Sequence, residues 1–280
     1  MQITPATKVV GLIGHPVAHS LSPVLHNHLY QSLGLDMVYH AFDVLPDQVE
    51  AAAAGLKALG FTGFNVTVPH KEVVYNLLDW IDEEAEIVGA VNTVKIENGR
   101  LEGYNTDGQG FIQSLHASGF SVSNKKVVML GAGGAARAIG ISVSKEEPEE
   151  ICIINRTFSR ADRLAYLINN HKGRRIARAA SVIPANTDFI INTTCLGMWP
   201  DTVGNPIQGY SLSSHMVVCD IVYNPRQTAM LKYAEKHGCR VCDGMGMLIG
   251  QGIKAVEIWL DTSLSKDSWQ LMSKAAYNHK

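Results

Sequence analysis

Two groups of residues in this sequence could do chemistry by their types and spacing. The first is Gly131-Ala132-Gly133-Gly134-Ala135-Ala136, a G-x-G-x-x-A loop that directly follows the apolar run Val127 to Leu130 and opens a helical stretch. Glycines there allow a tight turn and bring backbone amides close to an anion at the positive end of the helix, which is how a dinucleotide pyrophosphate is held. The second is a set of polar residues at loop positions: Ser20, Ser22, Asn65, Thr67, His70, Lys71, Asn92 and Asp107. A nicotinamide enzyme needs one group to exchange a hydroxyl proton and several to orient the substrate. Lys71 follows the strand end Thr67-Val68-Pro69, and C-terminal strand ends line the ligand crevice of an open α/β sheet. A lysine desolvated in such a crevice can exchange its proton nearer neutral pH, and a carboxylate such as Asp107 would orient it while moderating that shift.

The strand after the glycine loop, Ile151 to Ile154, decides which dinucleotide is bound. An NAD site places Asp or Glu at its end to bind the ribose 2′-hydroxyl. Here the residues are Asn155-Arg156-Thr157, with Arg160 one turn further on. A carboxylate would repel a 2′-phosphate, whereas a guanidinium forms charge-assisted hydrogen bonds with it. The cofactor expected is therefore NADP. The plainer reading, two solvated arginines at a helix start, runs against the dipole unless an anion meets them.

These loops need elements to hold them. Lys8 to Gly14 is an apolar, β-branched run ending in Gly14-His15-Pro16, a strand feeding a loop. In that loop Ser22 reads as an N-cap with Pro23 at the first helical position, and the helix stops near Gly34. Val38 to Val44 reads as a strand and Gln48 to Leu59 as an alanine-rich helix. Phe64 to Val68 is a strand closed by Pro69, before a helix from about Lys71 to Trp80. Asn98-Gly99 between Val91 to Glu97 and Arg100 to Tyr104 is a type I′ hairpin signal. Asn105-Thr106-Asp107-Gly108 reads as a turn before a helix from Gly110 to Ala117. The alternation then restarts, with strands near 127–130, 151–155, 174–178, 188–192, 216–222 and 239–242 and helices over 134–144, 158–169 and 227–237. That is the pattern of a doubly wound nucleotide-binding domain. Met247 to Tyr277 reads as helical and amphipathic. The expected fold is α/β in two domains with a cleft between them. Residues 1–106 plus 246–280 form a mostly parallel α/β substrate-binding and catalytic domain, and residues 107–245 a Rossmann-like NADP-binding domain.

The chain has 280 residues, 46% hydrophobic and 18% charged, a composition that excludes extended disorder. Its formal net charge of −2 gives no electrostatic reason for a nucleic-acid or anionic-membrane partner. Lys8 interrupts what would be the core of a signal peptide, and Val127 to Val143 is split by Arg137 and holds four glycines, so neither stretch reads as an export or membrane segment. A cytoplasmic location follows by default. Cysteines 152, 195, 219, 239 and 242 are an odd set in apolar or strand-like segments, which argues against a disulfide framework. Cys239-Arg-Val-Cys242 spells C-x-x-C, but no second pair completes a zinc site, and ordinary buried thiols are expected. No acidic ligands join His15, His19, His26 and His28, so no metal is expected.

Taken in order, GLIGHPVAHSLSPVLHN (11–27), FNVTVPHKE (64–72), GAVNTV (89–94), GYNTDGQGF (103–111), VVMLGAGGAARA (127–138), NRTFSRA (155–161), NTTCLGM (192–198), CDIVYNP (219–225) and GMGMLIGQG (244–252) resemble the shikimate dehydrogenases nearly end to end. The resemblance implies Lys71 as catalytic acid/base beside Asp107, with Ser20 and Ser22 on the substrate carboxylate. It implies Thr67, Asn92, Asp107, Tyr223 and Gln251 on the ring hydroxyls or carboxylate. On the cofactor side it implies Gly131, Ala132, Gly133, Gly134, Ala135, Asn155, Arg156, Thr157, Arg160, Ile221 and Gly244, with Glu83 as a further candidate. The reaction implied is reversible reduction of 3-dehydroshikimate by NADPH, on the way to chorismate and aromatic amino acids, by a monomer or homodimer whose partner is a small molecule. Two alternatives stand beside it. A quinate/shikimate relative with relaxed cofactor use would tend to carry an acidic residue near Arg156; Thr157-Phe158 supplies none, and Asp162 comes too late. A non-catalytic binding protein on this fold would have lost Lys71 or Asp107, and both are present.

Overall fold

The structure is a computed structural model that describes residues 2–278. It divides into two compact units, Met1–Thr106 with Ile249–Lys280, and Asp107–Leu248. Residues 1, 279 and 280, assigned to the first domain above, lie outside the described residues.

The first unit contains β1 (Lys8–Gly14), α1 (Ser22–Leu33), β2 (Met37–Asp43), α2 (Val49–Ala58), β3 (Gly63–Val66), α3 (Lys71–Tyr75), β4 (Trp80–Ile81), α4 (Glu83–Val88), β5 (Thr93–Glu97) and β6 (Arg100–Tyr104). Its sheet runs β2-β1-β3-β5-β6-β4. Strand β1 pairs in parallel with β2 and β3, β5 runs antiparallel to β3 and β6, and β4 is parallel to β6. Reversing β5 has a consequence for position. The C-terminal ends of β1, β3 and β6 and the N-terminal end of β5 share one edge of the sheet. One face is covered by α2, whose Val49, Ala53 and Leu56 pack with Ile13, Phe64, Val66 and Val94. Asn98 and Gly99 take φ of 50° and 72°, the left-handed pair that a type I′ turn demands.

Several local expectations need correction. Ser22 is the first residue of α1 rather than its N-cap, and Pro23 comes second; Leu21 in the right-handed region precedes them. The capping bond comes instead from Ser20, whose Oγ accepts from the Ser22 amide at 3.3 Å. Helix α3 ends at Tyr75, not Trp80: Asn76 turns its side-chain amide onto the Glu72 carbonyl (3.1 Å), and Asp79 binds the Leu101 amide (2.7 Å), drawing Trp80 into a strand beside β6. The sequence reading passed over α4. Its signals were Asp82, whose carboxylate caps the Glu84 amide at 3.0 Å, and Gly89 at φ 64°.

The second unit contains α5 (Asp107–Ala117), β7 (Lys126–Leu130), α6 (Gly134–Lys145), β8 (Glu150–Ile154), α7 (Phe158–Lys172), β9 (Ala177–Ala180), β10 (Phe189–Asn192), β11 (Val217–Asp220), α8 (Ala229–Lys236) and β12 (Arg240–Cys242). Helix α5 starts at Asp107, three residues earlier than expected. The sheet order is β12-β11-β10-β7-β8-β9 with every pair parallel. The chain winds outward from β7 in one direction through β8 and β9, and from β10 in the other. The switch point therefore falls between β7 and β10, where doubly wound sheets take their ligands. The final stretch is two helices, α9 (Met245–Leu260) and α10 (Asp267–Asn278), parted at Asp261 with φ 48°. Helix α9 runs through the boundary between the units, so no loop marks it. Among the described residues no helix is long and apolar enough to cross a membrane.

Candidate active site

In the first unit the shared edge collects Ser20 and Ser22 after β1, Thr67 and Lys71 after β3, Asn92 before β5, and Asn105 and Thr106 after β6. Asp107 is the next residue and opens α5 in the second unit. Beneath this edge the polar groups form a chain. The Tyr39 hydroxyl donates to Asn65 Oδ1 (2.8 Å), and Asn65 Nδ2 donates to the Asn92 carbonyl (3.1 Å) and Thr93 Oγ1 (3.0 Å). Thr93 Oγ1 donates to Asn92 Oδ1 (3.1 Å), and that oxygen also accepts from the Thr106 amide (2.8 Å). Asn65, Asn92, Thr93 and Thr106 are all buried. Buried amides and hydroxyls hold a fixed geometry only when each finds a partner, and here each does. Below Tyr39 lies the His26 ring, stacked at 4.2 Å and 10°; burial pushes its pKa down to about 3, so the imidazole is neutral.

The segment carrying Lys71 is anchored by the preceding residue. Buried His70 donates from Nε2 to the Val44 carbonyl (2.7 Å), and its amide donates to the Thr67 carbonyl (2.9 Å). Gly14 permits the close approach of this segment to β1, since a Cβ there would collide with Thr67 and come within 2.8 Å of Val17.

In the second unit the C-terminal strand ends build a different kind of surface. Gly131 has φ 114°, and a Cβ on it would come within 2.6 Å of Thr193 Oγ1 across the switch point. Gly133 precedes α6 with no side-chain cap, no acidic residue stands in the first turn, and a Cβ on Gly133 would meet nothing within 4 Å. Uncapped leading amides beside open space fit a pyrophosphate. At the end of β8 the Asn155 side chain donates to the Thr157 carbonyl (2.9 Å), while Arg156 and Arg160 are exposed. Neither arginine has an ion-pair partner among the described residues, which fits a 2′-phosphate. The residues present thus fit NADP, and the group itself would supply a hydride-carrying nicotinamide.

Two further strand ends are tied to a buried carboxylate. Asp220 accepts from Asn192 Nδ2 (2.9 Å), the Val222 amide (3.0 Å) and the Thr228 hydroxyl (2.7 Å). Burial pushes its pKa up, and those three hydrogen bonds oppose the shift. Asn192 in turn accepts from the Thr194 amide (3.0 Å). The turn bearing Ile221 and Tyr223 is held by this hub, and Gly244 lies against it, since a Cβ there would collide with the Ile221 carbonyl.

The structure brings Ser20, Ser22, Thr67, Lys71 and Asn92 to one sheet edge, and Gln251 lies on α9 in the same unit. Gly131 to Ala135, Asn155 to Thr157, Arg160, Ile221, Tyr223 and Gly244 lie at strand ends or the helix starts after them in the second unit. Glu83, unlike the other cofactor candidates, belongs to the first unit, where it opens α4 in a first turn shared with Glu84 and Glu86. As a carboxylate it can only accept hydrogen bonds, so a phosphate is excluded as its partner. The supporting residues Tyr39, Thr93, Asn192, Asp220 and Thr228 went unnoticed in the sequence. Asp220 had a signal, a carboxylate ending the apolar run Val217-Val218-Cys219.

Comparison with known proteins gives a consistent answer. A family model described as shikimate dehydrogenase substrate binding domain matches residues 12–94, and one described as shikimate/quinate 5-dehydrogenase matches residues 114–199. The shikimate dehydrogenase (NADP(+)) of Caldanaerobacter subterraneus subsp. tengcongensis is 46% identical over 270 residues, 95% of this chain and 96% of that protein. The crystal structure of a shikimate dehydrogenase in complex with NADP+ superposes with a TM-score of 0.92 at 42% identity, covering 99% of this chain and 97% of the other. The ligand-free 5-ketofructose reductase of Gluconobacter sp. strain CHM43 superposes with a TM-score of 0.87 at 38% identity, covering 98% and 99%. With both parts of its sequence matched by the family's models and a relative 46% identical along nearly the whole length, the chain belongs to the shikimate dehydrogenase family.

Proposed function

We propose that this protein is an NADP-dependent shikimate dehydrogenase, interconverting 3-dehydroshikimate and shikimate with Lys71 as acid/base. The observation that carries this reading is Lys71 on the same sheet edge as the Ser20/Ser22 pair, Thr67 and Asn92, in a chain whose second unit fits NADP. Bound NADPH supplies the hydride to the ring carbonyl carbon. The Lys71 ammonium donates a proton to the carbonyl oxygen as negative charge develops there, and recovers it in the reverse direction. Asp107 orients that ammonium. Ser20 and Ser22 hold the ring carboxylate: the Ser20 oxygen already accepts from the Ser22 amide, which leaves its proton to donate, and the start of α1 adds a favourable dipole. Thr67, Asn92, Tyr223 and Gln251 bind ring hydroxyls, and Arg156 with Arg160 binds the 2′-phosphate.

The likeness to a 5-ketofructose reductase favours one second reading, reduction of a cyclic polyhydroxy ketone that lacks a carboxylate. Such a substrate would leave the Ser20/Ser22 pair without its anion. Initial rates with shikimate, quinate and a neutral keto-sugar, each with the phosphorylated and unphosphorylated cofactor, separate the readings. The expected outcome is highest kcat/KM with shikimate and NADP+. A preference for quinate, for NAD+ or for the neutral sugar would overturn the assignment. A cytoplasmic location and a monomeric or homodimeric state belong to the same reading.

A further inference from the structure

Two buried thiols that the reaction does not use lie together in the second unit. Cys219 of β11 and Cys242 of β12 are register partners on adjacent parallel strands. Paired strands run about 4.8 Å apart, inside the roughly 4.4–6.8 Å spanned by the Cα atoms of disulfides. Helix α5 brings Ser114 Oγ to 3.7 Å and Ser118 Oγ to 3.8 Å from Cys242 Sγ. Cys242 also lies 3.9 Å from the Asp243 carbonyl. Cys219 is fully buried and Cys242 nearly so, while Ser118, which approaches Cys242, is exposed.

The C-x-x-C spelling points to the wrong pair. Cys239 and Cys242 are an odd number of residues apart on one extended segment, which turns their side chains to opposite faces. Cys239 packs with Val128, Ile190 and Val218 and donates to the Ser213 carbonyl (3.4 Å). The partner of Cys242 is Cys219, from another strand.

We propose that Cys219 and Cys242 form a dithiol that hydrogen peroxide oxidises to a disulfide, with Cys242 as the attacking sulfur. The neighbouring Cys219 thiol lowers the Cys242 thiol against the opposing effect of burial, and the two serine hydroxyls add to it; Cys219 is shifted upward and keeps its proton. The Cys242 thiolate attacks one peroxide oxygen, the O–O bond breaks, and hydroxide leaves to become water, giving Cys242 sulfenic acid. The Cys219 sulfur then attacks the Cys242 sulfur; the S–O bond breaks, and the leaving hydroxide takes the Cys219 proton as a second water. Two thiols lose two electrons, and one peroxide is reduced to two waters.

The cross-link acts on a strand that can yield, because β12 is three residues long and lies at the edge of the sheet. Gly244, two residues past Cys242, rests against the carbonyl of Ile221, two residues past Cys219. Fixing the two sulfurs at bonding distance shifts the path of this short edge strand and changes that contact. Resting on the NADP reading above, the oxidised protein binds NADP+ several-fold more weakly than the reduced one.

The test treats the reduced full-length protein with hydrogen peroxide, blocks remaining thiols under denaturing conditions and maps the peptides by mass spectrometry. The expected product joins the Cys219 and Cys242 peptides with loss of two hydrogens, is reversed by dithiothreitol, and forms equally in Cys195→Ser, which lacks the exposed thiol. In Cys219→Ser the cross-link is lost and dimedone traps a sulfenic acid at Cys242. The proposal is overturned if both thiols are still alkylated after Cys195 is fully oxidised, if Cys242 joins a different cysteine, or if Cys242 passes to sulfinic acid with Cys219 intact. The wild-type map decides these outcomes even where Cys219→Ser folds poorly. Titration with NADP+ before and after peroxide reads the consequence. A reduced protein that does not bind NADP+ defeats the cofactor reading and leaves the dithiol chemistry standing.

Discussion

At the site edge of the first sheet the polar atoms belong to side chains, Asn65, Asn92, Thr93 and Thr106, each hydrogen-bonded to the next. At the corresponding edge of the second sheet the leading backbone amides of α6 are laid bare by Gly133, where a side chain would meet nothing, while Gly131 and Gly244 let the loops pack closely on Thr193 and Ile221. The difference follows from the ligands proposed for each. A ring with a carboxylate and several hydroxyls is told from its relatives by donors and acceptors at fixed points, which only side chains with supported rotamers supply. A pyrophosphate needs many amides at short range, which side chains would obstruct. The first edge should therefore fail through loss of side chains and the second through their addition.

The largest effect belongs to the one side chain proposed to move a proton. Lys71→Ala should lower kcat by a factor on the order of a thousand, about 4 kcal/mol, with a small change in KM and no change in NADP+ affinity. Steady-state rates with equilibrium cofactor titration check this, and a fully active variant would refute the acid/base role.

The support below the first edge has its own sensitivity. The unfolded chain protonates His26 below about pH 6.5, whereas burial holds the folded imidazole neutral until about 3. Between those values the unfolded state binds more protons, so stability is present at neutral pH and is lost as pH falls. Between pH 6.5 and about 5 the loss should be about 2 kcal/mol. His26→Phe keeps a ring against Tyr39 and removes the titration, so its unfolding free energy should be flatter over that range. Equal slopes for the two proteins in urea melts at several pH values would show that His26 is not the group responsible.

This contrast also explains what could be read from the sequence. The glycine loop and Asn155-Arg156-Thr157 were legible because a backbone-built site is local: strand, turn and helix start are contiguous, and their spacing carries the physics. The site in the first unit was legible only as scattered polar residues. The Asn98-Gly99 turn announces the pairing of β5 with β6, but no local pattern announces that β5 lies beside β3, which is what brings Asn65, Asn92 and Thr106 together, and Tyr39 reaches in from β2, two strands from Asn65. Roles for Ser20, Ser22 and Gln251 came from resemblance. The Ser22 cap and the length of α3 were misread because neighbouring side chains, Ser20, Asn76 and Asp79, took over the backbone groups that propensity had assigned elsewhere. Cys219 and Cys242 could not be paired without the order of β11 and β12.

Smaller effects test the second edge, and the first of them concerns its exceptional side chain. Arg156→Ala should weaken NADP+ by roughly tenfold to thirtyfold and leave NAD+ unchanged, since a charge-assisted hydrogen bond to the 2′-phosphate is all it removes. Equal losses for both cofactors would rule out that contact. Gly133→Ala is the sharper probe. Gly133 has φ −90° and ψ −167°, which alanine adopts without strain, and the new methyl would touch nothing in the protein. Unfolding free energy should stay within about 0.5 kcal/mol of the parent. The methyl would nevertheless occupy the space in which the pyrophosphate meets the amides of α6, so NADP+ and NAD+ should both weaken, by about tenfold or less. A variant that binds both cofactors as tightly as the parent would mean that the glycine is there for the turn alone, and the account of exposed backbone at the second edge would fall.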